Sequence, residues 1–451
     1  MRKPLPTAVR ESPKVPFSEL DTTAIARSLS QIADRKGDLA EVFFERREEV
    51  VVPPADRAPG ILTIQEQGFA VRLVRGGKTW LAAHDEIRKG LLGEALRQAA
   101  RVVPTTPYPE PAIKMAEMQL PTASAELLDF PRRVTRAIRQ RLAAFPLLLT
   151  VRSHRRWIRV VRPQLSPDPE SEHFFSCEAE LPWGRWGTLL SKLDEDAAEK
   201  VAKSLTALFR AREAETAMTG RYPIVLGSSA CAVFLHEVVA HALETDTLVL
   251  GGRVEGALGA ELGGKLLNVL DDPAGAPEGV KRKSDDEGVP VERRWLLREG
   301  VVEQPLADQV AAHASIDLVP GAGRRSHRHE APVPRSFHLE LLPGEDGLDD
   351  LLADLRQGLY LPEVSRGRLD PLTGEFELEA PYCQMVIEGS LGDLAGPCRL
   401  VGRVADLLSS VNGVGSEVES AGAGWCAKGG VRLPVWATTP AIRLEIAEVE
   451  P

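Results

Sequence analysis

The sequence predicts an α+β protein with two domains, in which an N-terminal mixed α/β domain is followed by a C-terminal antiparallel sheet or barrel-like sheet. The chain has 451 residues, more than a single hydrophobic core commonly serves. Helical and strand-like periods alternate in its first half, whereas short alternating strands with turn signals fill its last third. Between them, a segment from Ala230 to about Thr245 is apolar on nearly every face. We therefore expect it to be a buried helix on which the C-terminal sheet packs.

The N-terminal domain is predicted to span residues 17–219. Its first elements are predicted to be a helix at 18–36, strands at 41–44 and 48–52, a hairpin of 68–73 with 78–83, and a helix at 86–103. The Gly76–Gly77 step between two strand-like runs is the turn signal for that hairpin. A proline-rich linker is predicted near 104–111, and a long amphipathic helix from Asp194 to Met218 ends the domain.

The C-terminal domain is predicted to span residues 220–451. It begins with a short apolar run, Tyr222–Leu226, that is typical of a buried strand. Ser228 or Ser229 then offers a hydroxyl to the free amides at the start of the buried helix. Alternating runs later in the chain predict antiparallel strands at 375–380, 385–388 and 442–446.

The buried helix carries the sequence HEVVAH, from His236 through Glu237 to His241. Zinc-protease helices usually hold their histidines four positions apart, which places both imidazoles on one face. Residues five apart on a straight α-helix diverge by about 140°, so a shared ion requires a π-bulge or an early helix end near His241. The alternative is a chance pattern of histidines satisfied within the core. The strand, turn and buried helix around the motif favour metal binding.

A catalytic metal site of this kind needs a third protein ligand and an open position. Cys426 is the candidate, because it lies among glycines in the segment 422–430 and a thiolate with two imidazoles suits zinc. On its own, Cys426 would be interpreted as a small buried hydrophobe. The competing ligands are His327, His329 and His338.

Several segments in order resemble the TldD/PmbA family of metallopeptidases. HEVVAH with the following ALETD is similar to that family's HExxGH-x-LEGD signature, and WCAKG at 425–429 to its GxCGKxGQ segment. SDDEG at 284–288 resembles its DDEG segment and PVPR at 332–335 its PxPR segment. EQG at 66–68 with Val71–Arg72 resembles its QGxxVR stretch. The resemblance spans nearly the whole chain, and an ordered series of matches is more specific than any one of them.

The resemblance implies that His236, His241 and Cys426 bind zinc and that Glu237 is the general base. It also implies the TldD-like, metal-bearing branch rather than the PmbA (TldE) branch, which lacks these ligands. Members of the family form dimers around an inner cavity, so the implied substrates are short or unfolded peptides. The implied partner is a second copy of the chain or a PmbA (TldE)-like paralogue.

Three positions depart from the family pattern. Ala240 replaces the usual glycine before the second histidine, and Thr245 replaces the glycine of LEGD. Both changes add only small side chains, so we expect the metal site to be retained. The segment from Pro334 to His338 differs from the family's PRMTN and is expected to change what the cleft accepts.

Two further features are candidates for substrate binding. Arg335, between a proline and an alternating stretch, is predicted to position substrate, and the glycine-rich run beginning at Gly251 and Gly252 is predicted to form a flexible lid. The acidic pairs Asp271–Asp272 and Asp285–Asp286 could form a two-metal carboxylate set. We favour ordinary loop and turn chemistry for them.

Composition restricts the class of protein. The 65 acidic and 55 basic residues give a net charge of −10, which disfavours nucleic acid as a partner. No signal peptide is expected, because the first residues lack an apolar core, and no run approaches the length of a membrane span. The five scattered cysteines do not suggest a disulfide framework and fit the cytoplasm.

The sequence therefore predicts a zinc-dependent peptidase in which Glu237 transfers the proton. A second hypothesis is a non-catalytic or scaffold subunit of a two-subunit peptidase, with a structural or absent metal. The intact Glu237 argues against it, because a structural site has no use for a carboxylate beside its first ligand. Nucleic-acid binding or gyrase modulation is a third hypothesis, and the acidic charge balance gives it little support.

Overall fold

The structure is a computed structural model, and it describes residues 16–17, 20–54, 60–102, 121–143, 145–215, 219–251 and 257–451. The predicted linker at 104–111 and the predicted lid residue Gly252 lie outside these residues. Mixed α/β architecture with two large sheets confirms the predicted fold class.

The first sheet has six strands in the order β3-β2-β1-β4-β5-β6, and every neighbouring pair is antiparallel. Its strands are β1 (Leu39–Val52), β2 (Leu62–Arg75), β3 (Lys78–His84), β4 (Leu148–Val161), β5 (Glu170–Leu181) and β6 (Gly184–Leu190). The helices that accompany them are α1 (Thr22–Ile32), α2 (Lys89–Val102), α3 (Ala125–Arg139) and α4 (Glu195–Ala211). One core lies under α1 and α2 and another under α3 and α4.

The second sheet is built around the long strand β21, which pairs with β7, β13, β19 and β20. Most pairs are antiparallel, as predicted, but β13 with β21 and β14 with β7 are parallel. Its strands are β7 (Gly220–Leu226), β8 (Val269–Asp271), β9 (Arg294–Arg298), β10 (Val301–Val302), β13 (His338–Leu341), β14 (Gln357–Leu361), β15 (Arg366–Leu369), β16 (Glu375–Ala380), β17 (Cys383–Ile387), β18 (Ser390–Ala395), β19 (Cys398–Arg403), β20 (Val411–Lys428) and β21 (Val431–Glu450). Two short strands form a separate pair, β11 (Gly323–Arg324) and β12 (Val333–Pro334).

Helices cover this sheet, and the predicted buried helix lies at the centre of its core. The helical segments are α5 (Ser228–Phe234), a π-helix (Leu235–Ala240), α6 (His241–Leu243), α7 (Thr245–Leu250), a 3₁₀ turn (Glu278–Val280), α8 (Gln309–Ala314), α9 (Leu348–Ala353) and α10 (Val404–Ser409). Phe234, Leu235 and Val239 pack in one cluster with Ile442 and Leu444 of β21.

Within the described residues, no strand of the first sheet pairs with a strand of the second. This agrees with a division near Gly220, and the domains 17–219 and 220–451 remain our proposal. Three local predictions are wrong. The strands at 41–44 and 48–52 are one continuous strand, and α4 ends at Ala211. The residue before α5 is Gly227, with no side-chain cap.

A buried network of ion pairs joins the two sheets. Arg72 on β2 contacts Glu41 on β1 at 3.3 Å and Glu287 at 2.6 Å. Arg156 on β4 lies 3.4 Å from Asp286, and an amide of Gly323 donates to Asp285. The DDEG-like segment therefore anchors the C-terminal part of the chain to the first sheet.

Candidate metal centre

The helix that carries the predicted ligands changes its hydrogen-bond pattern at the HEVVAH motif. The His241 amide donates to the carbonyl of His236, five residues earlier, which is the spacing of a π-helix. The wider turn brings residues five apart to the same face. As a result, the rings of His236 and His241 lie 4.3 Å apart between centroids, as the expected π-bulge requires.

The helix breaks immediately after the second histidine. Glu244 is extended, with φ −71° and ψ 131°. The break is held by Leu306, whose amide donates to Leu243 and whose carbonyl accepts from Thr245. The carboxylate of Glu244 turns back to His241, with Oε2 2.8 Å from Nδ1. Because a carboxylate can only accept, Nδ1 carries the proton, and Nε2, on the other side of the ring, is the nitrogen that can bind a metal ion.

Cys426 reaches the same place from the other end of the chain. Its Sγ lies 3.5 Å from His241 Nε2, although the two residues are 185 positions apart. It was predicted to lie on a loop, but it sits within β20, paired with Leu433 of β21 just before the Gly429–Gly430 turn. The ligand atoms of His236, His241 and Cys426 all lie within 4.8 Å of one another.

The three side chains fit a metal ion. All are buried, and both ring nitrogens of His236 lack a hydrogen-bond partner. A buried imidazole without partners is costly unless a ligand satisfies it. Two nitrogens and a sulfur around one point are donors that suit a divalent ion such as zinc. Within the described chain, this is the one group of three metal-binding side chains that converges so closely.

The electrostatics of the site favour a positive charge. Burial alone lowers the pKa of His241, but Glu244 beside it, with Cys426 and Glu237, raises that pKa to about 10. A divalent cation would satisfy the same negative groups in place of the proton. Burial also lowers the pKa of His236 well below its usual value, assisted by His241, so His236 is neutral and can donate a lone pair.

Glu237 lies beside the three ligand side chains without belonging to them. Its carboxylate oxygens are 3.9 Å from His236 Nε2 and 3.8 Å from His241 Nε2. Burial raises the pKa of Glu237, and Glu244 adds to the rise while His241 and Lys428 oppose it. Its side chain is 14% exposed and lines a cavity of about 590 Å³ together with both histidines.

A cluster of charged residues lies beside His241, and of its members only Arg335 was predicted as part of the site; Glu244, Asp246 and Lys428 were not. Lys428 Nζ contacts Glu244 and lies 3.3 Å from Asp246. Arg335 lies 3.2 Å from Glu244 and 2.9 Å from Asp246. Burial raises the pKa of Glu244, but His241, Arg335 and Lys428 together hold it well below its usual range. The signal for this cluster was present in the LEGD-like and CAKG segments, which supply Glu244, Asp246 and Lys428.

Gly367 on β15 is a second feature that sequence reasoning missed. A Cβ at this position would lie 2.2 Å from Cγ and 2.9 Å from Cδ of Glu237. The backbone of β15 therefore rests directly on the side chain of Glu237 and limits its rotamers. Only the tertiary packing shows why glycine is needed here, since its φ is not positive.

Neither Arg335 nor Gly251, the two candidate substrate-binding residues that the structure describes, lines the cavity that contains Glu237. Arg335 is buried and bound to Glu244 and Asp246, so its contacts support His241, and its predicted contact with substrate stays a prediction. Gly251 follows α7, where its amide donates to Thr247. Thr247 itself lines the cavity, and a lid at Gly251 also stays a prediction.

The competing histidines make other contacts. His338 lies 3.0 Å from Thr438 Oγ1 and 3.2 Å from the carbonyl of Asp272. His327 contacts Glu66 and His329 contacts Asp85, both beside the first sheet. Each of the three thus has a polar partner away from Cys426.

The acidic pairs also have local partners. Asp271 accepts the amides of Phe337 and His338, and Asp272 accepts amides in its own turn. Asp285 accepts three amides, and Asp286 pairs with arginines. These are the loop and turn contacts that we favoured over a two-metal set.

Similarity to known proteins agrees with this geometry. A profile described as the PmbA/TldA metallopeptidase C-terminal domain matches residues 219–450, which is half of the chain and contains the HEVVAH helix and Cys426. The chain belongs to the TldD/PmbA family. The resemblance seen in the sequence motifs is confirmed.

Relatives extend the match beyond that domain. A "Metalloprotease TldD homolog" of Haemophilus influenzae is 25% identical over 95% of this chain and 96% of its own length. A "Metalloprotease" of Methanothermobacter thermautotrophicus is 30% identical, over 56% of this chain and 56% of its own length. The chain thus spans one of these relatives almost entirely and about half of the other.

A solved structure shows the same fold. TldE from Thermococcus kodakarensis superposes with a TM-score of 0.72 at 17% identity, over 95% of this chain and 99% of that one. Its likeness therefore covers both sheets of the TldD/PmbA chain. None of the helices that the structure describes has the length and apolar character needed to cross a membrane.

Proposed function

We propose that this TldD/PmbA chain is a zinc-dependent peptidase that hydrolyses short or unfolded peptides. One observation carries the proposal. Two imidazoles and a thiol have their ligand atoms within 4.8 Å of one another, and the carboxylate of Glu237 lies within 4 Å of both imidazoles. This combination supports a Lewis-acid metal site with a proton acceptor beside it.

His236, His241 and Cys426 would hold the zinc and leave one position open to the cavity. A zinc ion held by these residues would supply Lewis acidity, which would polarise the scissile carbonyl and lower the pKa of water. Glu244 fixes the tautomer and orientation of His241 through Nδ1, and Lys428 and Arg335 keep Glu244 ionised.

Glu237 would act as the general base and then as the general acid. It takes a proton from the attacking water and delivers it to the leaving amine. Burial raises its pKa, which brings the carboxylate closer to the pH at which it must both accept and release a proton. The contact with Gly367 holds the side chain in this position.

The walls of the cavity suit an extended peptide. Four strands contribute to them, β5, β6, β15 and β20. Among the described strands, β6, β15 and β20 each pair on one side only, with β5, β16 and β21 respectively. Such free edges can accept a peptide as an added strand. A peptide in this position must be extended, which favours short or unfolded peptides over folded proteins as substrates.

We place the chain in the TldD-like branch, because the ligands and the general base are all present. The partner would be a second copy or a TldE-like paralogue, and the fold shared with TldE supports such a pairing. The proposed compartment is the cytoplasm, where reduced Cys426 is available as a ligand.

The test combines metal analysis with peptide cleavage by wild-type protein and Glu237→Ala. We expect about one zinc per chain in both, and cleavage of an unstructured peptide by the wild type alone. Glu178→Ala is the matched control, because Glu178 lines the same cavity but is paired with Arg152 at 2.6 Å. Equal activity in wild type and Glu237→Ala would remove Glu237 from the mechanism. A wild type that binds zinc but cleaves nothing would instead favour the scaffold subunit.

A further inference from the structure

A second cavity of about 340 Å³ adjoins the one that contains Glu237. The two cavities share six wall residues, Gly187, Thr188, Val233, Ser365, Ala423 and Gly424. A peptide that runs along β6 and β20 past Glu237 would therefore enter this second cavity. We call it the side cavity.

The wall of the side cavity includes the partly buried side chain of Glu363. Ser204 Oγ on α4 donates to one oxygen at 2.9 Å, and Trp186 Nε1 on β6 donates to the other at 3.4 Å. The second of these bonds is long, so that oxygen retains acceptor capacity. Burial raises the pKa of Glu363, and the two hydrogen bonds and Lys200 only partly offset this.

No cation pairs with Glu363 within 4 Å among the residues that the structure describes. The lysines around it are engaged elsewhere, Lys200 with Glu419 at 2.8 Å and Lys192 with Asp194 at 2.5 Å. A partly buried carboxylate with no cation beside it keeps acceptor capacity that a bound cation could use. Such a group in a cleft is a candidate for ligand binding. A purely structural carboxylate that joins α4 to β6 is the alternative that the experiment must exclude.

Glu363 is close in the sequence to Gly367, the residue that contacts Glu237. Gly367, which contacts Glu237, follows Glu363 by four residues. Four residues of extended chain reach at most about 14 Å. Glu363 is therefore within reach of a substrate group about four residues from the scissile bond.

We propose that Glu363 binds a cationic group of the peptide substrate. The group would be an ammonium or guanidinium, supplied either by a lysine or arginine side chain or by the free α-amino end of a short peptide. The inference rests on the proposed function for the position of the scissile bond, but cation binding can be measured without cleavage.

The experiment measures binding of fluorescent unstructured peptides to zinc-loaded, full-length protein carrying Glu237→Gln, which prevents turnover. A neutral peptide is compared with versions that carry one lysine at successive positions, each with a free and an acetylated amino end. We expect at least one cationic version to bind about tenfold more tightly than the neutral parent, as a charged hydrogen bond predicts. Adding Glu363→Gln should bring this ratio close to one. Adding Glu178→Gln, the control in the same cleft, should leave the ratio unchanged.

Each outcome decides the inference. A preference that survives acetylation assigns the group to a side chain, and one that acetylation removes assigns it to the amino end. Equal binding of neutral and cationic peptides, or a preference that persists in the Glu363→Gln protein, overturns the inference. Glu363→Asp provides a second variant that keeps the charge, and it should retain part of the preference if the Gln variant folds poorly. If the zinc-loaded wild type prefers cationic peptides but cleaves no peptide, the result would support cation binding at Glu363 and contradict the proposed peptidase activity.

Discussion

The contact between Gly367 and Glu237 allows a sharp test of how the general base is positioned. A methyl group at residue 367 would lie 2.2 Å from Glu237 Cγ, whereas ordinary contacts begin at 3.4 Å. The side chain of Glu237 must therefore move by about 1.2 Å to restore an ordinary contact distance. A displacement of about 1 Å at a catalytic group can cost about a hundredfold in rate. Gly367→Ala should thus lower kcat by about this factor.

The assay follows kcat, KM and zinc content for cleavage of an unstructured peptide. We expect KM within a few-fold of the wild type and full zinc occupancy, because neither the ligands nor the strand edges change. Gly184→Ala on β6 is the matched control, since a Cβ there would meet nothing within 4 Å. The methyl group added by Gly367→Ala would also lie 2.9 Å from Leu378. The free energy of unfolding of this variant should therefore be measured, and we expect it to fall by about 1–3 kcal/mol. Wild-type kcat in a zinc-loaded Gly367→Ala protein would refute the reasoning.

Three other substitutions test different parts of the structure. Glu244→Gln removes the charge that orients His241, and zinc affinity should fall by about 10- to 100-fold in a competition titration with a chelator. His338→Gln tests acid stability. Burial lowers the pKa of His338 to about 4. Below pH ~6.5 the unfolded state therefore binds a proton at this residue that the folded state does not bind. As a result, the free energy of unfolding should fall by up to about 3 kcal/mol as the pH falls to about 4. The variant should show a smaller drop in denaturation midpoint between these pH values, and an identical drop would contradict the assignment. Arg72→Met leaves the buried carboxyl of Glu287 without a cation, whereas Glu41 keeps its contact with Arg325, and should reduce the free energy of unfolding by about 3 kcal/mol near pH 7. Burial raises the pKa of Glu287 to about 7, so this carboxyl is protonated at lower pH. The difference in the free energy of unfolding between wild type and Arg72→Met should therefore be smaller at pH 5 than at pH 7, which denaturant titrations at the two pH values would measure.

Local sequence patterns predicted the main elements around the site because they depend on neighbours along the chain. The apolar character of 230–245 predicted burial, and the alternation at 375–380 predicted a strand with the observed bounds. The same patterns failed where tertiary packing decides. No serine caps α5, because Gly227 is needed there, where a Cβ would lie 2.7 Å from Tyr360 Oη. Cys426 was expected on a loop, but β20 continues through it because β21 offers pairing partners up to the turn.

The sequence by itself determined that a buried helix carries two histidines five positions apart, which an ion can bridge only if the helix is distorted. This follows from helical geometry and needs no other part of the chain. Tertiary structure alone decided which side chains join them. Cys426 arrives from 185 positions away, and Lys428 and Arg335 contact Glu244. Gly367 on β15 and Glu363 in the loop before it come from a third segment of the chain. Such contacts depend on how distant segments pack, and one-dimensional periodicity carries no information about that packing.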